Sequence, residues 1–252
     1  MSGHSKWANI KHKKARADEK KGKAFTKIAK EIIIAAREGG GDPEGNPRLK
    51  MLIQKAKAAN MPNENITRAI KRGTGEIEGA AIEEFSYEGY GPGGVALMLS
   101  IMTDNRNRTA ADIRHLLSKY GGNLGETGCV NWMFRKRGLL TVARDECALD
   151  PDDVVLLALE AGAEDVREDD DVLEILTAPE ELEAVKSLLE QQGVRFDTAE
   201  VAMVPENTVD VSDIETARKV LRLMDVLEDH DDVQQVYANF SIPQEIMEQV
   251  QL

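Results

Sequence analysis

The segment from His4 to Lys23 is dense in cationic side chains that could hold phosphate groups. A lysine ammonium meets a phosphate as a point charge, and each phosphate it neutralises releases a counterion. Trp7 adds an aromatic face that can stack on an unpaired base, worth about 1–3 kcal/mol, and His12 lies in the same segment. The pattern therefore indicates contact with a nucleic-acid strand or loop. The cations, opposed only by Asp18 and Glu19, are Lys6, Lys11, Lys13, Lys14, Arg16, Lys20, Lys21 and Lys23.

Two other interpretations of this segment stay open. Trp7 could anchor the segment to a folded unit, and the lysines could form a solubilising tail. The second is weakened because positive charge continues into the helical patterns that follow, which predicts one contiguous basic surface. The further cations are Lys27, Lys30, Lys50, Lys55, Lys57, Arg68, Lys71 and Arg72.

A second cationic cluster, Arg106, Arg108 and Arg114, lies at the start of a predicted helix in an otherwise acidic region. Arginines at a helix N-terminus can contact phosphate oxygens or base edges. A structural role is the alternative. Thr109 with Asp112 fits a capping box, and Asp104 could pair with a neighbouring arginine.

Motifs for catalysis or metal binding are missing from the sequence. It has no GxxxxGK[ST] loop and no HExxH, and its glycine-rich stretches have the context of turns. Cys129 lacks a local nucleophile motif, and the acidic runs lack calcium-loop spacing. We predict a protein that is not an enzyme and that needs no cofactor and no metal.

The charge is strongly asymmetric along the 252 residues. The net charge is −13, yet residues 1–72 hold 18 lysines and arginines against 7 acidic residues, so the remainder is acidic. Such asymmetry is typical of a polyanion-binding end, and the acidic body could face a protein partner. Two cysteines 18 positions apart fit a reducing compartment, and neither a secretory signal nor a membrane span is apparent. The expectation is a cytoplasmic protein without membrane contact.

Three short amphipathic patterns, from about Lys23, Asn46 and Asn63, predict an all-α unit over residues 1–78. Residues 131–205 follow the order β-α-β-β-α-β of a ferredoxin-like fold. Residues 79–130 and 206–252 each lack partners for their strands and helix, so we expect them to pack together. The predicted fold is α+β with three domains, in which 131–205 is inserted into a discontinuous α+β domain.

Three long stretches of the sequence are distinctive: SGHSKWANIKHKKARADEKKGKAFTKIAKEI, NPRLKMLIQKAKAANMPNENITRAIKRGTG and YEGYGPGGVALMLSIMTDNRNRTAADIRHLLSKYGGNLGETGCVNWMF. Together they resemble the YebC/PmpR family of probable transcriptional regulators, whose mitochondrial relatives are described as translational activators. The resemblance implies three domains, with the last inserted in the second. It implies no catalytic residues.

Three hypotheses for function follow. The first is a DNA-binding transcriptional regulator, and the second is a translation factor that binds RNA at the ribosome. The third is a scaffold whose basic third docks onto an acidic protein. The family description favours the first. The sequence shows no row of Arg, Asn and Gln typical of a recognition helix, which leans toward RNA.

Overall fold

The computed structural model of the chain describes residues 18–144, 147, 149–168 and 172–250, with side chains from residue 22 onward. The fold is α+β, as predicted. The helices in chain order are α1 (Asp18–Gly39), α2 (Pro47–Ala58), α3 (Asn63–Gly73), α4 (Arg106–Lys119), α5 (Pro151–Glu160), α6 (Leu182–Gln191), α7 (Ile214–Glu228) and α8 (Gln244–Gln249). The strands are β1 (Glu83–Tyr90), β2 (Ala96–Thr103), β3 (Asn123–Leu124), β4 (Phe134–Ala143), β5 (Asp165–Glu168), β6 (Val172–Thr177), β7 (Thr198–Pro205), β8 (Val209–Asp210), β9 (Val233–Ala238) and β10 (Phe240–Ser241).

Helices α1, α2 and α3 form a helical unit around a core that includes Ile32, Leu49 and Ile66. Helix α1 starts five residues before the predicted Lys23, because its first turn is made of helix-forming but polar residues that lie outside the apolar stripe. Asn46 caps α2, as its position before Pro47 predicts, and its side chain accepts a hydrogen bond from the Leu49 amide. The cap fixes where α2 leaves the loop after α1.

Helix α3 packs closely against α1 at its C-terminal end. A Cβ atom at Gly73 would lie 2.5 Å from the carbonyl oxygen of Ile33, so only glycine permits this approach. A glycine directly after the third apolar pattern predicts the left-handed conformation at Gly73. That prediction is wrong, because Gly73 is still helical and Gly75, with φ 82°, takes the left-handed conformation.

A four-stranded antiparallel sheet in the order β3-β1-β2-β9 forms the centre of the molecule. Helices α4 and α7 cover one face through a core that includes Leu99, Ile113 and Leu221. Strand β9 lies beside β2, which is buried on both faces. The segments before and after the predicted insertion thus share one sheet.

A second sheet in the order β5-β6-β4-β7 carries α5 and α6 on one face, which is the ferredoxin-like arrangement. The apolar pattern predicts that β4 begins at Leu139, because Arg135, Lys136 and Arg137 interrupt the pattern before it. The strand instead begins at Phe134. The sheets meet through a cluster that includes Met98, Leu139 and Tyr237.

The boundaries at residues 78, 130 and 205 stay a proposal. This division into domains is supported by the two four-stranded sheets. Strands within residues 83–124 and 233–238 form the first sheet, and strands within residues 134–205 form the second.

Candidate nucleic-acid interface

Much of the predicted basic arm lies outside the described residues, so its role stays a prediction. This applies to Lys6, Trp7, Lys11, His12, Lys13, Lys14 and Arg16. Lys20 and Lys21 lie within α1, but their side chains are outside the described part.

Three lysines on one face of α1 contact an acidic segment, Glu228–Asp232, between α7 and β9. Lys23 Nζ lies 3.4 Å from Asp229 Oδ2. Lys27 Nζ donates to the Glu228 carbonyl at 2.6 Å, and Lys30 Nζ to an Asp232 carboxylate oxygen at 2.6 Å. The spacing of 4 and 3 residues places all three on one helix face. The predicted binding residues Lys23 and Lys27 are therefore engaged by the chain's own acidic segment.

Asp232 contacts both cationic clusters that the sequence indicated separately, the lysines of α1 and the arginines at the start of α4. Its side chain is buried and also accepts hydrogen bonds from the Thr109 hydroxyl at 2.8 Å and from Arg108 Nη2 at 3.0 Å. Burial by itself would raise the pKa of Asp232, but hydrogen bonds from Lys30, Thr109 and Arg108 together hold that pKa far below its usual value. The pKa of Arg108 is raised, first by its hydrogen bond to Asp232. This cluster is an internal ion network.

The other predicted arginines of α4 differ in their surroundings. Arg106 pairs with Glu83 at 2.8 Å and stacks over the Phe85 ring at 4.0 Å. Arg114 is exposed. The capping box expected at Thr109 is wrong, because Asn105 caps α4 by accepting from the Arg108 amide while Thr109 is buried in the helix.

Helices α2 and α3, with the turn 59–62 between them, carry seven lysines and arginines against one carboxylate. Three of the cations are paired with carboxylates within the molecule: Arg48 with Glu38 at 2.7 Å, Lys50 with Glu44 at 3.0 Å and Lys55 with Glu31 at 2.9 Å. Arg72 donates to the Ala80 carbonyl at 3.0 Å.

Three cations of the helical unit have no hydrogen bond or ion pair to any described residue. Lys57 lies on α2, and Arg68 and Lys71 lie on α3; all three are exposed. They are the cations between residues 22 and 73 that the described structure leaves free for an external anion.

A groove of about 350 Å³ runs between α1 and α3, next to Arg68. Its floor is apolar, and Asn65, Arg68 and Arg72 stand at its edge. Sequence reasoning missed this groove. Phe25, Ala29 and Ile33 follow the core period of α1, and only the packing shows that part of this stripe stays open.

The linker into β4 holds a further exposed group that the sequence did not single out. Trp132 is 66% exposed, and its indole N–H donates to the Cys129 carbonyl. The buried Glu88 carboxylate orders this loop by accepting from the amides of Gly128, Val130 and Asn131. Burial first, and then the charge of Glu88, raise the pKa of the Cys129 thiol, which is the opposite of an activated nucleophile.

The described residues lack two further features. No helix there is long and apolar enough to cross a membrane. No group of three or more His, Cys, Asp or Glu side chains there could hold a metal ion.

The protein combines a basic helical unit with two antiparallel sheets that are each covered by helices. Family models match both the helical unit and the part of the chain that forms the sheets. The model described as the TACO1/YebC protein N-terminal domain matches residues 5–76. The model described as the TACO1/YebC second and third domain matches residues 82–240. The chain therefore belongs to the TACO1/YebC family, as its resemblance implied.

Individual relatives are similar over nearly the whole chain. A protein of Halothermothrix orenii is 65% identical over 250 residues, covering 99% of each chain. One of Moorella thermoacetica is 65% identical over 256 residues, covering both chains fully. Both are named probable transcriptional regulatory proteins. The crystal structure of a conserved hypothetical protein from Aquifex aeolicus is 51% identical, with a TM-score of 0.80, and the match covers 92% of this chain and 95% of that one.

Proposed function

We propose that this protein is a nucleic-acid-binding regulator of transcription that holds DNA through α2, α3 and the basic arm. The observation that carries the proposal is the set of free cations: between residues 22 and 73, every described cation without an internal partner lies on α2 or α3. The names of the relatives support a role in transcription.

The pair α2 and α3 also has a connection as short as that of a helix-turn-helix unit. Its helices are joined by the four residues 59–62, in which Asn60 takes a positive φ of 61°. Asn65, Arg68 and Lys71 follow one another at intervals of three on the exposed side of α3. Because α3 presents one Asn and one Arg there rather than the row typical of a recognition helix, we infer that it contacts DNA mainly through phosphates.

RNA binding during translation is a second candidate, favoured by the groove between α1 and α3. A duplex offers no unpaired base to such a groove, whereas loops in RNA do. Recovering the protein from lysate with and without nuclease, then sequencing the bound DNA and RNA, separates the candidates. Promoter DNA would support the first and ribosomal RNA the second. Association only with proteins, unaffected by nuclease, would contradict both.

The surface itself is tested by a matched pair of double variants. Arg68→Gln with Lys71→Gln removes two free cations, so the slope of log K against log salt on duplex DNA should become shallower by about 2. Lys50→Gln with Lys55→Gln removes the same charge from cations that already have carboxylate partners, and should change the slope by much less. Equal effects of the two pairs would place the interface elsewhere.

The proposal extends to the rest of the molecule. We infer that the protein is not an enzyme and acts in the cytoplasm. The acidic surface of the part of the chain that forms the two sheets is then available to a protein partner. The same surface repels nucleic acid, so that nucleic acid binds only at the helical unit.

A further inference from the structure

We propose that the groove between α1 and α3 accepts an unpaired nucleobase while Arg68 holds the adjoining phosphate. This inference rests on the proposed function, whose DNA and RNA candidates both place nucleic acid on the helical unit, and it adds a site there for an unpaired base.

The shape of the groove suits a flat aromatic ligand. Its floor is made by Phe25, Ala29 and Ile33 of α1 together with Met61 and Ala69. Because the side chains of Ala29 and Ala69 are small, the groove is deep between the two helices. Phe25 provides an aromatic surface on which a base can stack. A volume of about 350 Å³ lies within the range of small-ligand sites, roughly 300–1,000 Å³.

The charge at the rim suits a phosphate. Arg68 is exposed and has no partner among the described residues, and Lys71 follows one turn later. Asn65 offers an amide that can both donate to and accept from a base edge. None of the described residues lining this groove is acidic, whereas the nearby cleft around Asp232 is lined by five aspartates.

A nucleotide combines the two properties that the groove requires, a flat face of low polarity and an anion beside it. The chain's own residues before α1 do not, because residues 4–17 hold five cations that Arg68 and Lys71 would repel. An acidic peptide would satisfy the rim but not the aromatic floor.

The test fills the groove without removing a charge. Ala29→Leu adds bulk inside it, and Ala24→Leu makes the same change at an exposed position of the same helix that does not line the groove. Binding is measured by fluorescence anisotropy on three probes: a 12-nucleotide single strand, the same strand with abasic sites, and the matching duplex. Ala29→Leu should weaken binding of the intact strand about 10-fold, within the 5- to 150-fold that stacking of a base represents. It should change binding of the abasic strand and the duplex by less than about twofold, and Ala24→Leu should change none of the three.

A comparison on the unmodified protein needs no variant. It should bind the intact strand at least about fivefold more tightly than the abasic strand. Equal affinity for these strands, or equal effects of Ala29→Leu and Ala24→Leu, would overturn the inference while leaving the proposed function standing. If Ala29→Leu instead lowers the melting temperature and spares binding, the groove is occupied by the chain itself and the inference is wrong. Failure to bind any strand or duplex at low salt would remove the proposed function as well.

Discussion

Asp232 shows how a single residue can change the meaning of a charge pattern. The sequence predicted binding roles for Lys27 and Arg108. In the structure, Lys27 donates to the Glu228 carbonyl and Arg108 donates to the Asp232 carboxylate. A pattern of positive charge identifies a basic helix, but it does not reveal that a carboxylate about 200 residues away in the chain lies against it.

Replacing Asp232 should destabilise the fold. Asp232→Asn leaves Lys30, which is only 15% exposed, without its carboxylate, so we expect the free energy of unfolding to fall by about 3 kcal/mol in urea denaturation. Asp225→Asn is the control, because its ion pair with Arg222 is exposed and should contribute less than about 0.5 kcal/mol. Similar losses for the two variants would mean that the buried network is no stronger than a surface pair.

The same residue predicts how stability depends on pH. The pKa of Asp232 is lower in the folded state than its unfolded value of about 3.9, so the unfolded state binds more protons and the stabilisation is lost as pH falls. The stability difference between the native protein and Asp232→Asn should be full above about pH 5 and shrink progressively below about pH 4. Urea titrations between pH 6 and pH 2.5 measure it, and a difference that stays constant over this range would contradict the assigned network.

At the scale of elements, local signals were reliable where the deciding partner is close in sequence. The start of α2 followed from Asn46 and Pro47, whose cap acts three residues away. The cap of α4 was misassigned, because Thr109 has the right spacing to Asp112 but is drawn into the core by Thr103 and Asp232. Strand β3 and the β8–β10 pair were missed, since two-residue strands carry no measurable alternation.

The Asn46 cap should be worth more than an ordinary surface cap. Its amide also donates to the carbonyls of Ala35 and Gly40, which ties α2 to the end of α1. Asn46→Ala removes all three contacts, and we expect a loss of about 2–3 kcal/mol in the free energy of unfolding. Asn63→Ala, at the exposed first residue of α3, should cost less than about 0.5 kcal/mol. Calorimetric melting of both variants would show whether their midpoints separate as expected.

At the scale of the whole molecule, the uneven distribution of charge predicted the basic helical unit, and counting unpartnered strands predicted how the two outer segments combine. The groove could not be predicted, because it exists only where the stripes of α1 and α3 fail to close on each other. The same is true of the free cations, since pairing depends on which carboxylates the fold brings near.

The basic arm should contribute to binding independently of the described surface. Replacing Lys11, Lys13 and Lys14 by Gln removes up to three phosphate contacts, so the salt slope should become shallower by about 3 on duplex and about 2 on single strands. Replacing Lys136, Lys186 and Lys219 by Gln lowers the net charge equally but in the acidic body, and should leave the slope as it was. A flattening by the second set and not the first would reverse the assignment.

Strand β9 supplies one edge of the central sheet from near the end of the chain, and its Val236 pairs with Leu99. During synthesis β2 therefore cannot pair with β9, and its apolar side chains stay partly uncovered, until some 130 further residues have left the ribosome. The ferredoxin-like segment, complete by Pro205, can fold in that interval. Premature termination after it would leave an open hydrophobic strand, so truncated products of this gene should aggregate rather than persist as partly active fragments.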